Sequence, residues 1–314
     1  MHSTLREIAL IGSTASGKSS LALELARNHH GIILSLDSLA LYREIDIASA
    51  KPTKDERGEI PHYGIDLLSP SENFNVTKFL TLYQESSQRS LKENRPLIIV
   101  GGSSFYLKML IEGISPLPPL SGEKRSALNS LLDDLSQAHK YLSNIDPLYS
   151  AKISSKDRYR IEKGLQVYFS TGIPPSQHFA LHPPQSPLQN SMPIFEIRRS
   201  RSELRQRISL RTKKMFDQGL IDEVAGLEYR YGRSPNAMKA IGIREVLDYF
   251  DGRINRKGLE EKIVINTARL AKRQETFNRS QFRNVIRGDI DTIRKKIVSL
   301  WEASNVANFS YPQE

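Results

Sequence analysis

"IALIGSTASGKSS", residues 8–20, is the stretch on which the fold turns. A short apolar run stops at Gly12, a loop bounded by Gly12 and Gly17 follows, and Lys18 and Ser19 open "KSSLALELARNH", whose leucines and alanines recur at helical spacing. Gly12, Ser13, Thr14, Ala15, Ser16, Gly17, Lys18 and Ser19 satisfy G-x-x-x-x-G-K-[ST] at every fixed position, in the strand–loop–helix context that gives the motif its meaning. Glycines let backbone N–H groups turn onto an anion, and the helix N-terminus adds partial positive charge. Lys18 neutralises a phosphate and the Ser19 hydroxyl can ligate Mg²⁺. A plain Gly/Ser turn is the competing reading, and the flanking pattern disfavours it.

Outward from the loop, "GIILSLDS" and "PLIIVGG" read as further buried strands, with a helix around residues 75–92 between them. Continuous apolar strands separated by helices predict a mostly parallel sheet covered on both faces: an α/β, P-loop NTPase-like three-layer sandwich. Proline and glycine cluster in "GISPLPPLSG", residues 113–122, and the text is then helical and polar to about residue 180. The expected organisation is a core over 1–115, a helical insertion domain over 116–190 and a second core part over 191–314, where a strand in "MPIFEIRRS" precedes helices.

The 314 residues suffice for a substantial core. Lys and Arg outnumber Asp and Glu by 45 to 35, giving a net charge of +10 and a pI near 9.6, which suits a polyanionic partner or simply solubility. With no cysteine, disulfides, zinc–thiolate sites and a thiol nucleophile are excluded. No apolar run approaches the roughly 20 residues that cross a bilayer, so a soluble cytoplasmic protein is expected.

ATP hydrolysis is not implied. "PLIIV" ends in Gly101 and Gly102, without the metal-holding aspartate usual at the end of a later core strand. Asp37 does stand at the end of the second strand, where an α/β sheet presents residues to its ligand crevice. It is either a general base or a helix N-cap.

"GSTASGKSSLALELA", "SLDSLALYREIDIASAKP", "VGGSSFYLKMLIEGI", "DRYRIEKGLQVYFSTGIPPS", "GLIDEV", "AIGIREV" and "AKRQETFNR" come in the order and at about the distances found in the tRNA dimethylallyltransferases, also called tRNA isopentenyltransferases or IPP transferases; the chain resembles that family over residues 8–279. The resemblance implies transfer of the dimethylallyl group of dimethylallyl diphosphate to N6 of adenine 37 in tRNAs reading UNN codons, by a monomer using Mg²⁺ held by Ser19. It implies that Asp37 accepts the proton of the amine, that Ser103 lies at the target base, and that Lys18, Arg211 and the loop 12–19 hold the diphosphate. tRNA contacts are implied for Asp37, Ser38, Leu39, Ala40 and Ser103, for Arg125, for Tyr159, Arg160, Ile161, Glu162 and Lys163 in the insertion that would grip the anticodon stem-loop, and for Lys272 and Arg273.

Departures from the family pattern are Ser13 for proline, "GGSSFY" for "GGTGLY", "DIASAKP" for "DIGTAKP", and Ala40 for glutamine. Ser13 is expected to leave all the loop's backbone donors available. In residues 198–224, read as one basic helix, eight Lys or Arg lie between Arg198 and Lys214 against one acid, Glu203; a solvated face explains such a run as readily as a ligand does. Arg269, Lys272, Thr276, Arg279 and Arg283 fall at helical steps and are expected on one face, suited to a phosphate backbone. Two other readings remain: a small-metabolite P-loop kinase, and a nucleic-acid-binding module with a vestigial loop.

Overall fold

The computed structural model describes residues 7–188 and 191–309; residues 1–6, 189–190 and 310–314 lie outside it, including the end of the expected insertion at 190. The elements in the first stretch are β1 (Glu7–Gly12), α1 (Lys18–Asn28), β2 (Ile32–Ser35), α2 (Lys54–Arg57), β3 (His62–Tyr63), α3 (Val76–Glu93), β4 (Leu97–Gly101) and α4 (Ser104–Glu112). Next come α5 (Gly122–Leu132), α6 (Leu135–Ile145), α7 (Pro147–Ser150), α8 (Arg158–Thr171) and α9 (Pro175–Leu181). The remainder holds β5 (Ile194–Ile197), α10 (Arg201–Asp217), α11 (Leu220–Tyr231), α12 (Ile243–Phe250), α13 (Arg256–Gln281), β6 (Val285–Gly288) and α14 (Ile290–Phe309).

The chain divides into two compact units, Met1–Lys108 with Leu188–Glu314, and Met109–Pro187. In the first, one six-stranded sheet has the order β3-β2-β4-β1-β5-β6, every pair parallel. Ile8, Ala9, Leu10 and Ile11 of β1 all have 0% exposure, both parities alike, as helices on both faces demand. Ile8, Leu10, Ile98 and Phe195 pack on Leu21 and Leu25 of α1 and on Ile293, Ile297 and Trp301 of α14. Helices α3 and α13 also pack against the sheet, and α3 is pinned by Tyr83 Oη donating to Glu7 at 2.7 Å. A second apolar cluster joins Tyr42, Ile45 and Ala48 to α11, α12 and α13.

Three expectations change. Short β3 and β6 extend the sheet at its edges, where four residues or fewer leave little pattern to read. Residues 198–224 are two helices rather than one: Ser200 caps α10 through Glu203 N–H, and Gly219, at φ 94° in the left-handed region, ends its successor turn and starts α11. Arg283 is not on the face of α13, because Phe282 leaves the helix at φ −113°, ψ 123° and buries its ring beside Phe277.

In Met109–Pro187, Leu128, Leu132, Ala138, Leu142, Ile161 and Leu165 form a core of its own. Asp146 accepts from Tyr149 N–H at 2.9 Å and Ser176 N–H at 2.6 Å; burial alone would raise its pKa, but these N–H donors outweigh burial and lower it. Ile114 bridges antiparallel to Gln185, and Ser186 Oγ donates to Leu110 O at 3.0 Å.

Candidate active site

The phosphate loop leaves β1 at Gly12 and delivers Lys18 as the first residue of α1, with Gly17 at φ 97°, a conformation that favours glycine. Its carbonyls are tied back by cations. Ser13 O accepts from Lys18 Nζ at 3.3 Å, Ala15 O from Arg207 Nε at 2.7 Å and Ser16 O from Arg199 Nε at 2.6 Å. The C=O and N–H of a trans peptide point opposite ways, so Arg199 on Ser16 O fixes the aim of the Gly17 N–H. Part of the basic run is therefore a brace for the loop rather than a solvated face. Two loop donors depart from expectation: Thr14 N–H gives its hydrogen bond to Gln274 Oε1 at 2.8 Å and Ser16 N–H to Ser13 O at 3.1 Å, so the backbone donors are not all left for an anion. Gln274 also donates to Gly102 O at 3.1 Å, and a Cβ on Gly102 would stand 2.4 Å from that amide nitrogen; at Gly101, the last residue of β4, a Cβ would stand 2.7 Å from the Leu36 backbone carbon, which explains why the end of the strand carries glycine.

Lys18 is 8% exposed. Burial pushes its pKa down to about 8, with nearby Asp37 raising it and Arg211 lowering it further. Arg211 is likewise lowered by burial, opposed by Asp37, and donates to Ser49 O at 3.2 Å. These three charges form one electrostatic group. Asp37 follows β2; its N–H donates to Ser35 Oγ at 3.2 Å and its Oδ1 accepts from Leu39 N at 2.9 Å and Ala40 N at 3.4 Å. The capping role is thus real, for a turn rather than a helix, and it coexists with a carboxylate facing a buried lysine and arginine. Ser103 Oγ accepts from Ser38 N–H at 3.2 Å while Ser103 N–H donates to Leu36 O at 3.1 Å, which leaves the hydroxyl its own proton to donate.

Two cavities converge here. One, of 820 Å³, is lined by Asp37, Ser103, Ser104, Arg211, Arg273 and Gln274. The other, of 930 Å³, is lined by Lys18, Ser19, Lys51, Arg207, Arg211 and Lys214. A neck of 60 Å³, with Thr14, Lys18, Ser19, Asp37, Ser49 and Arg211 in its wall, shares residues with both. The wall between residues 46 and 48 is held by Glu223, which accepts from the N–H groups of Asp46 at 2.9 Å, Ile47 at 2.7 Å and Ala48 at 2.9 Å. Burial raises the Glu223 pKa, and those three N–H donors offset only part of the rise.

Gln274, Glu223, Arg199 and Arg207 are positioning residues that spacing could not identify. The available signal was that Glu223 and Gln274 lie in the family-like blocks "GLIDEV" and "AKRQETFNR", while Arg199 and Arg207 belong to the basic run.

Of the other expected contacts, Ser38, Arg125, Tyr159, Arg160, Lys272 and Arg273 are exposed, and Leu39 is half-buried. Glu162 and Lys163 pair at 3.2 Å, with the Lys163 ammonium 5.7 Å from the Tyr159 ring centre. Two side chains are withdrawn: Ile161 belongs to the core of Met109–Pro187, and Ala40 is 3% exposed. Packing decides both, whatever their backbones contact. For a cation, Ser19 is exposed at the neck, and no group of three His, Cys, Asp or Glu is assembled among the described residues. One hydroxyl beside a phosphate site fits Mg²⁺, which keeps waters and phosphate oxygens as most of its ligands.

A family model described as IPP transferase matches residues 40–281. The chain is 52% identical over 295 residues to a tRNA dimethylallyltransferase of Sulfurovum sp. strain NBC37-1, covering 94% of this chain and 98% of the relative. It is 42% identical over 291 residues to that of Helicobacter pylori strain J99, covering 93% and 92%. Among solved structures, the full-length tRNA isopentenylpyrophosphate transferase of Bacillus halodurans superposes with a TM-score of 0.65 at 29% identity, covering 96% of this chain and 99% of that one. A eukaryotic dimethylallyltransferase acting on tRNA shares the fold with a TM-score of 0.83 at 23% identity, covering 98% and 81%.

Proposed function

This chain belongs to the IPP transferase family, and on that premise we propose how its two cavities divide the transfer of a dimethylallyl group to tRNA. The donor is dimethylallyl diphosphate, with its diphosphate in the phosphate loop and its reactive carbon at the neck. The acceptor is N6 of adenine 37, beside the anticodon of tRNAs that read UNN codons, entering from the 820 Å³ side. A neck walled by Lys18, Ser19, Asp37 and Arg211 is the observation that carries this reading, because it puts anion-binding groups and a carboxylate at one narrow meeting point.

In the reaction the N6 nitrogen forms a bond to the allylic carbon as the bond from that carbon to the diphosphate oxygen breaks. Negative charge gathers on the departing diphosphate, so donors aimed at its oxygens lower the barrier. Lys18, Arg211 and the loop amides fill that role. Asp37 takes the proton lost by the amine, its turn bonds holding the carboxylate in place. Ser103 orients the base. Ser19 would hold Mg²⁺, which supplies further charge neutralisation when bound.

Extraction of adenine 37 from its stack needs grip on the RNA outside the pocket. Arg125, Tyr159, Arg160, Glu162 and Lys163 would provide it on the anticodon stem-loop, with Lys272 and Arg273 on the backbone. No described helix is long and apolar enough to cross a membrane, and the reading takes the enzyme to act as a cytoplasmic monomer.

The test uses undermodified tRNA and labelled dimethylallyl diphosphate, with ATP in a parallel reaction. Label entering tRNA without ATP supports the proposal. Phosphate released from ATP would indicate a kinase-like enzyme, and tRNA binding without turnover a binding module.

A further inference from the structure

Helix α10 turns one face to the 930 Å³ cavity: Arg207, Arg211 and Lys214 stand at steps of four and three residues, and all three line it. Of these, Arg207 is bonded to the phosphate loop, its Nε donating to Ala15 O at 2.7 Å. That bond uses one of five guanidinium donors. The other four, on Nη1 and Nη2, have no partner among the described residues, and no carboxylate neutralises the group. A Cβ on Gly17 would stand 3.6 Å from Arg207 Nη2, so the unused end of the fork lies beside the peptide where the loop enters α1.

Arg199 is the control. It too donates through Nε to a loop carbonyl, Ser16 O at 2.6 Å, and its Nη2 stands 3.5 Å from the same Gly17 Cβ position. Its Nη1 is paired with Glu203, however, its side chain is only 16% exposed, and it lines neither large cavity. Arg199 therefore braces the loop and is spent in doing so. Arg207 is exposed, carries an uncompensated charge and faces the cavity.

Position along the cavities orders the anion. Lys18, Ser19 and Arg211 line both the neck and the 930 Å³ cavity, whereas Arg207 lines the cavity and not the neck. With the reactive carbon at the neck, the phosphate attached to that carbon falls to Lys18 and Arg211, and the terminal phosphate lies farther out. Asp37 acts on both Lys18 and Arg211, which leaves that pair short of positive charge for a diphosphate. An arginine fork without an acid of its own matches the oxygens of a phosphate.

We infer that the Nη groups of Arg207 bind the terminal phosphate of the prenyl donor while its Nε holds Ala15 O. One side chain then both shapes the loop and selects a diphosphate over a monophosphate. The inference rests on the functional reading above and deepens it.

The experiment measures binding of dimethylallyl diphosphate and of dimethylallyl monophosphate by calorimetry, without tRNA, to the unaltered enzyme, Arg207→Gln and Arg207→Lys. The unaltered enzyme is expected to prefer the diphosphate, and Arg207→Gln to shrink that preference about 10- to 100-fold, as for loss of a charge-assisted hydrogen bond. A residue that only braces the loop shifts both ligands alike, so an unchanged preference overturns the inference. So does an unaltered enzyme that binds the two ligands equally well. Should Arg207→Gln melt below the assay temperature, Arg207→Lys carries the test: it keeps the charge and loses the fork, so a smaller loss of preference is expected, and no loss overturns the inference. If the preference behaves as expected but the unaltered enzyme transfers no prenyl group to tRNA, the functional reading fails while the phosphate contact survives it.

Discussion

Around the phosphate loop, Lys18, Arg207 and Arg199 hold the carbonyls of Ser13, Ala15 and Ser16 in place, whereas in the opposite cavity wall the Ser104 hydroxyl is buried without a partner among the described residues. The two ends of one site are finished to different degrees. A diphosphate is small and nearly invariant in shape, so a cradle set in advance loses little ordering entropy when it binds. On the proposed function a nucleobase arrives at the other end attached to a macromolecule that supplies its own binding energy, so less of that wall has to be set in advance. Gln274 belongs to both ends, bonding Thr14 N–H on one side and Gly102 O on the other.

Several measurements can break or sharpen that contrast. Asp37→Ala should reduce single-turnover transfer by about 10²- to 10⁴-fold, the usual range for a lost general base, while diphosphate affinity is retained because on the proposed function the carboxylate serves the acceptor. An unchanged rate removes Asp37 from the chemistry. Lys18→Ala should lower both diphosphate affinity and the rate, by about 10²- to 10³-fold in rate as for loss of one preorganised donor; normal turnover at saturating donor would show the cradle to be dispensable.

Gln274→Leu is the variant that tests whether the ends are coupled. It strands a backbone N–H and a carbonyl, each costing about 1–3 kcal/mol, so Tm should fall and KM should rise for donor and tRNA together. A change confined to one substrate would separate the two ends.

Lys18 sets a pH dependence. In the free enzyme burial holds its pKa down to about 8, against 10.5 unperturbed, with Asp37 and Arg211 the charged groups acting on it. Below about pH 8 the amine is charged and ready for an anion. Above that, binding must first restore the proton, so diphosphate affinity is expected to decline as pH rises, with proton uptake visible by calorimetry in buffers of different ionisation enthalpy. The same shift acts in the opposite sense on stability: from about pH 8 to 10.5 unfolding takes up a proton at this amine, so its contribution to folding stability rises with pH. An affinity flat from pH 7 to 10 would refute the lowered value. The smallest effect is expected from Lys272→Ala and Arg273→Ala, each flattening the salt dependence of tRNA binding by about one unit of slope if it meets a phosphate; an unaltered slope denies the contact.

The sequence made the cradle legible because one contiguous motif encodes it from Gly12 to Ser19. Asp37 was legible because it sits just after a buried apolar strand, and Ser103 through its place in the family-like block "VGGSSFYLKMLIEGI". The braces were not. Gln274 and Thr14 are 260 positions apart, and Glu223 acts on residues about 175 positions away, distances at which neither periodicity nor local spacing carries information. Likewise β3 and β6 take their strand character from a neighbour's hydrogen bonds more than from their own few residues, and the withdrawal of Ile161 follows from tertiary packing that a contiguous motif does not reveal.

The bridge of Ile114 to Gln185, backed by the bond from Ser186 to Leu110, brings together the chain segments entering and leaving Met109–Pro187. A segment closed at its own base, with its own apolar interior, can be swapped for a longer, shorter or foreign one without re-registering the six parallel strands. On the proposed function, chimeras made at that base would exchange RNA recognition and leave the residues proposed for the chemistry untouched.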